Sequence, residues 1–217
     1  MPKLNLDNPL FRAMGKLGDL FLLNLLWMLC CLPVVTVGAS STALFYVARK
    51  IAAGEDYLLR EDFFHSFRQN FRQATAAWLA LAAAGVLFLF SLWSAFHTPG
   101  AAGNVFRGTS IALCLLWLIV AGNAFALLAR YEYSAARLLT DALIFGVTHP
   151  VSGASAIGAA LWLPLLAWAD AAAALYLFLP WMMVCGAASA VLLSAAQLPG
   201  FRKIEARREE AFRNAAE

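Results

Sequence analysis

The chain has 217 residues, of which 62% are hydrophobic and only 13% charged, with a formal net charge of +3. An average soluble domain has about a quarter of its residues charged, so this composition lacks the polar skin that a water-soluble fold requires. The slight positive balance also argues against nucleic acid as a partner.

The apolar residues come as long uncharged runs: Leu20–Ala48, Ala74–Phe96, Gly108–Ala129, Val151–Ala169 and Ala171–Leu198. A bilayer core about 30 Å thick needs roughly 20 apolar residues of helix to cross it, and each run reaches or approaches that length. Only helices and closed barrels satisfy every backbone group in lipid. Barrel strands alternate in polarity over about ten residues, whereas these runs are uniformly Leu- and Ala-rich. The expectation is an all-α, polytopic membrane helix bundle of one domain with about five to six transmembrane segments.

Residues 1–19 open the chain. Asn8-Pro9 suits a helix start, with a capping side chain before a proline at the first helical position. Leu10, Phe11, Met14 and Leu17 then share one face, with Arg12 and Lys16 off it, as in a short interfacial helix. A straight helix over Leu20–Ala48 would measure about 44 Å, well beyond the hydrocarbon thickness. Pro33 removes a backbone donor in its middle, and Gly38 tolerates a sharp turn. Residues 20–52 are therefore expected to form a broken element: a helix to Leu32, a turn at Pro33–Gly38 and a second helix to Ala52. Such a hairpin, spanning or re-entrant, keeps the N-terminus on the cytoplasmic side. A single crossing that leaves the N-terminus outside is the alternative. A cleaved leader, with Val37 and Ala39 flanking the cut, would discard a segment whose polar half looks purposeful.

Residues 60–73 follow. Phe64, Phe67 and Phe71 recur at helical spacing with Phe63 beside them, opposite a polar face containing Arg68 and Arg72. Such a cytoplasmic amphipathic helix lies in the headgroup plane or docks on a partner. Spans are expected at 74–96, 108–129, 151–169 and 171–198. A polar helical connector runs from Tyr131 to Gly146, and 199–217 is a charged tail.

Cytoplasmic loops carry the Lys/Arg excess. Arg49, Lys50, Arg60, Arg68 and Arg72 place residues 49–73 inside, Arg130 and Arg137 place 130–150 there, and five basic residues place the tail there. The location implied is a cytoplasmic membrane, with the C-terminus inside.

The sequence nominates no catalytic, cofactor-binding or metal-binding residue, and the expectation is a protein that is not an enzyme. His65, His97 and His149 fall in separate segments without neighbouring ligands. Cys30, Cys31, Cys114 and Cys185 all lie in apolar runs, where cysteine packs as a small hydrophobe. Polar residues inside apolar runs are costly and often functional. Asn24 and Asn123 stand out, together with Thr36, Ser40, Ser41 and Thr42 just after Pro33. The candidate functional segment is Asn24, Pro33, Thr36, Gly38, Ser40 and Thr42. The candidate partner-docking or interfacial set is Phe63, Phe64, Phe67, Arg68 and Phe71.

Several strings in this chain carry a family resemblance: Asn8-Pro9-Leu10-Phe11, Gly18-Asp19-Leu20, Leu23-Asn24-Leu25-Leu26-Trp27, Leu32-Pro33-Val34-Val35-Thr36-Val37-Gly38-Ala39 and Thr42-Ala43-Leu44-Phe45-Tyr46. With Asp62-Phe63-Phe64, Phe67 and Asn70-Phe71, they resemble the N-terminal signature of the YesL-like family of bacterial integral membrane proteins. The resemblance is specific across residues 8–73. It implies a bacterial cytoplasmic membrane and a role near carbohydrate uptake, because members are often encoded beside ABC-type sugar importers. The partners expected on that basis are the lipid bilayer and carbohydrate ABC permease subunits, with a homo-oligomer as a further form. The leading functional expectation is an accessory or scaffolding component. The alternative is a small transporter or channel that uses the broken first helix pair as its substrate site.

Overall fold

The computed structural model describes residues 9–131, 135–148, 186–199 and the single positions 176 and 213. Among these residues every regular element is helical. The order is α1 (Pro9–Cys31), a 3-10 turn (Val34–Thr36), α2 (Val37–Ala53), α3 (Leu59–His97), α4 (Gly100–Leu128), α5 (Ala135–Thr148) and α6 (Gly186–Pro199).

The first apolar run breaks between Cys31 and Val37. Pro33 precedes the 3-10 turn, and the Thr36 hydroxyl lies 2.6 Å from the carbonyl oxygens of both Cys30 and Pro33. That hydroxyl serves carbonyls which the interrupted ladder leaves without a helical donor. α2 ends in a Schellman motif. Gly54 takes a left-handed conformation (φ 71°), the Gly54 N–H bonds the Ile51 carbonyl, and the Glu55 N–H bonds that of Lys50.

α3 is one helix where the sequence reading has a cytoplasmic helix at 60–73 and a separate span from 74. The backbone ladder is indifferent to the change in side-chain polarity at Ala74, and neither glycine nor proline lies between Leu59 and Ala84 to break it. Its 39 residues extend about 58 Å at 1.5 Å per residue. α2 runs antiparallel to its first half. The Lys50 ammonium donates to the Asp62 carboxylate at 2.8 Å at the lower end of the pair. At the upper end, a β-carbon on Gly38 would collide with the Ala74 carbonyl oxygen and lie 2.6 Å from Trp78 Cβ. The Trp78 indole N–H donates to the Val34 carbonyl at 2.8 Å, fixing the hairpin tip at that level. α3 continues for 19 further residues, about 28 Å, before it ends at His97.

α4 returns along this upper half of α3. Ser91 and Ser110 share a hydrogen bond of 2.9 Å, and the Trp117 indole donates to the Leu81 carbonyl at 2.9 Å. One buried cluster joins α2, α3, α4 and α5 through Ala39, Ala74, Leu81, Phe125, Leu138 and Phe145. A second joins α1, α2, α3 and α6 through Leu23, Leu44, Val47, Phe63, Ala187 and Ala190. Among the described residues, the hairpin, the lower half of α3, the end of α4, α5 and α6 thus form a bundle, and the upper α3–α4 pair extends beyond it.

Among the described residues two helices, α3 and α4, are long and apolar enough to cross a membrane, and α6 is a shorter apolar helix. The expected figure of five to six spans is therefore met only in part. α4 begins at Gly100, upstream of the expected span at 108–129. The expected span at 151–169, nearly all of 171–185 and most of the tail lie outside the described residues.

Candidate functional site

The candidate segment is built by the turn that joins α1 to α2, and its polar groups face other parts of the same chain. Asn24 is wholly buried on α1. Its side-chain oxygen accepts the Ala187 backbone N–H at 3.0 Å, which ties α1 to α6. Trp27, one turn further on, donates its indole N–H to the Ser41 hydroxyl of α2 at 3.3 Å. Thr42 is buried and bonds back to the Gly38 carbonyl at 2.9 Å. Ser40 is wholly buried, and Gly38 forms the point of closest approach between α2 and α3. Pro33 is exposed at the tip, beside Leu32, Val34 and Val35.

Asn24, Thr36, Gly38, Ser40 and Thr42 thus come together along one hairpin, as the sequence implies. Asn24 ties α1 to α6, Thr36 closes the turn, and the neighbouring Trp27–Ser41 bond joins α1 to α2, while the buried Ser40 hydroxyl makes no hydrogen bond among the described residues. Asn123 plays the matching part at the other end of α6. It donates to the Ile119 carbonyl at 2.7 Å within α4 and accepts from the Gln197 amide at 2.9 Å. Two buried asparagines, on α1 and α4, therefore hold the two ends of α6. Sequence reasoning singled out both asparagines but not Gln197, whose only signal is that it is the one amide side chain in the uncharged run 171–198.

The phenylalanine set is divided by the structure. Phe63 is wholly buried, with its ring stacked 6.4 Å from Phe67 and edge-on to Phe64 at 5.6 Å. Phe64 and Phe67 pack against the same α1–α2–α6 core. A ring with no exposed surface cannot dock on a partner, so the outward role expected for Phe63 does not hold. The helical period was right, but the apolar face turns toward α2. Phe71, Arg68 and Arg72 are exposed.

Below the hairpin lies a set of paired charges. The Tyr57 hydroxyl donates to Asp19 at 2.5 Å and joins the loop to α1. Burial, and then the Asp19 carboxylate, push the Tyr57 phenol up to about 12. Arg49 pairs with Glu55 at 3.3 Å. Asp62 takes Lys50 on one oxygen and the Leu58 backbone N–H, at 3.0 Å, on the other. The hydrogen bond to Asp62 raises the Lys50 ammonium above its ordinary value. The carboxylate also sits in the first turns of α3, where the helix dipole favours negative charge.

No group of three or more His, Cys, Asp or Glu residues that could hold a metal occurs among the described residues.

Residues 20–92 match the model of a family described as a protein of unknown function, DUF624. The matched stretch covers the apolar part of α1, the turn, all of α2 and most of α3. No curated protein and no solved structure matches the chain.

Proposed function

We propose that this chain is a multi-pass component of a bacterial cytoplasmic membrane that serves as an accessory or scaffolding subunit for another membrane protein. The observation that carries this reading is how the hairpin uses its polar groups. Asn24, Thr36 and Thr42 bond to the chain's own backbone, and Trp27 and Ser41 bond to each other. Hydrogen bonds of this kind between packed helices hold them in register. The upper α3–α4 pair supplies surface for a partner. Val86, Leu87, Phe90, Trp93 and Val105 are each at least 60% exposed. Carbohydrate ABC permease subunits are the partner class implied by the family that residues 8–73 resemble. Both α3 and α4 cross the bilayer on this reading, with residues 49–73 in the cytoplasm and the Thr98-Pro99 connection outside.

A second reading, a small transporter, draws on the interrupted helix at Pro33–Thr36, because broken helices line substrate sites in many transporters. Purified protein in liposomes separates the two. The scaffold reading expects no sugar or ion flux, and no difference between the parent chain and Thr36→Val. A flux abolished by Thr36→Val would replace it with the transporter reading.

A further inference from the structure

Three uncharged runs of the sequence end in polar groups that the fold gathers at one point. Arg49 is the first charged residue after the run 20–48, Arg130 is the first after 108–129, and Ser194 and Gln197 lie near the end of 171–198. Arg49 stands in the last turns of α2, Arg130 just past α4, and Ser194 and Gln197 on α6. Together with Phe45 and Ala126 they line a cavity of about 10 Å³, room for a single small species. The lining thus comes from three separate elements. Two of its polar side chains are almost wholly buried, Gln197 at 1% exposure and Ser194 at 6%.

What these groups offer the cavity is mainly donors. The Arg49 guanidinium gives Nη1 to Glu55 at 3.3 Å, while its Nε–H is buried and meets no acceptor among the described residues. A guanidinium has no acceptor, so Arg130 also brings only donors. The Ser194 hydroxyl can donate as well. No carboxylate lies among the described lining residues. Two guanidinium groups at one partly buried cavity repel each other, and a low local dielectric strengthens that repulsion. A water molecule would accept hydrogen bonds there but carries no charge to offset it. An anion does both, and the small volume suits a single-atom anion rather than phosphate or sulfate.

We propose that this cavity is a halide-binding site, in which chloride accepts from the Arg49 Nε–H and the Ser194 hydroxyl beside the Arg130 guanidinium and so locks the end of α6 against α2 and α4. It follows from the packing of the helix ends alone and does not rest on the scaffold role.

The test uses the full chain, purified in a mild neutral detergent. Its melting temperature is followed as sodium chloride or sodium bromide replaces sodium gluconate at fixed ionic strength. Either halide is expected to raise the parent's Tm over gluconate by about 2–4 °C, along a saturable curve. Arg49→Lys keeps a charge beside Glu55 but lacks the Nε–H, and Ser194→Ala removes only a hydroxyl, so both variants are expected to fold. Each should move the midpoint of the halide curve upward about tenfold or more, as the loss of one hydrogen bond to a charged group does. A parent Tm that is the same in all three salts overturns the site, leaving at most a water in the cavity. A rise that climbs without saturating, or one that both variants keep unchanged, is a bulk salt effect or belongs elsewhere on the chain and overturns it too.

Discussion

Asn24 and Gly186 meet at a contact that only glycine permits. A β-carbon on Gly186 would lie 2.5 Å from the Asn24 side-chain oxygen and 3.3 Å from the Trp27 ring. That closeness lets the next residue, Ala187, donate its N–H to Asn24 at 3.0 Å, from 163 positions away in sequence. Gly186→Ala should therefore force the helices apart and cost about 1–3 kcal/mol. Asn24→Ala should cost about 0.6–2 kcal/mol, the range of interhelical hydrogen bonds in membranes. The two changes should be non-additive, because removing the asparagine makes room for the new methyl group. Thermal melts of the two single variants and the double variant in detergent read this directly. Strict additivity would place the contact elsewhere.

Phe63 and Phe71 lie on the same helix and should respond very differently to truncation. Phe63 has no exposed surface, and Phe63→Ala should cost about 3–5 kcal/mol through lost burial and the cavity left behind. Phe71 is 39% exposed, and Phe71→Ala should cost about 1 kcal/mol or less. The fraction of each variant that remains monodisperse in detergent, followed by its melting temperature, gives the comparison. Equal losses would contradict the inward orientation of the phenylalanine face.

The contrast also marks what the sequence could tell. The break in the first apolar run was legible because Pro33 cannot donate a backbone hydrogen bond and Gly38 follows within two turns. The spacing of Phe64, Phe67 and Phe71 implied a helix with one apolar face. Period says nothing about direction, however, and only the position of α2 decides whether that face turns in or out. The helix at 60–73 and the span from 74 were read as separate elements, whereas α3 is continuous there, because polarity changes at Ala74 but the backbone has no cause to stop. Asn24 and Asn123 were visible as polar residues in apolar runs. Their partners on α6 are set by tertiary packing across 163 and 74 positions, beyond any local pattern.

Alkaline pH should loosen the base of the bundle. The folded-state value of Tyr57, about 12, is above its ordinary value of 10, so the phenol is favoured in the native state. Its stabilisation is complete below pH 10 and is lost as pH rises through 12. Lys50, also raised, acts in the same direction above its ordinary 10.5. The melting temperature should stay flat up to about pH 10 and then fall, and Tyr57→Phe should reduce the slope between pH 10 and 12. An identical alkaline limb in Tyr57→Phe would remove Tyr57 from the account.

The hairpin should not reach the outer face of the membrane, because the bond from Trp78 to Val34 stops it well short of the far end of α3. Single cysteines can be placed in a chain whose Cys30, Cys31, Cys114 and Cys185 are replaced by serine or alanine. An impermeant maleimide applied to sealed vesicles should label Ala102→Cys from outside and Asp56→Cys only from the cytoplasmic side. Val35→Cys should resist labelling from outside. Outside labelling of Val35→Cys would mean that the hairpin crosses.

The scaffold reading is tested most directly by its partner. The chain would carry a C-terminal tag, be extracted from its native membrane in mild detergent, and be purified beside a Phe90→Ala/Trp93→Ala variant. These two rings stack at 5.9 Å and stand at least 60% exposed on α3, so their removal should leave the fold intact. The account predicts a carbohydrate ABC permease subunit near one-to-one with the parent chain, lost from the variant while the variant stays in the membrane fraction. A homo-oligomer with no second protein, or a partner retained equally by the variant, would contradict it.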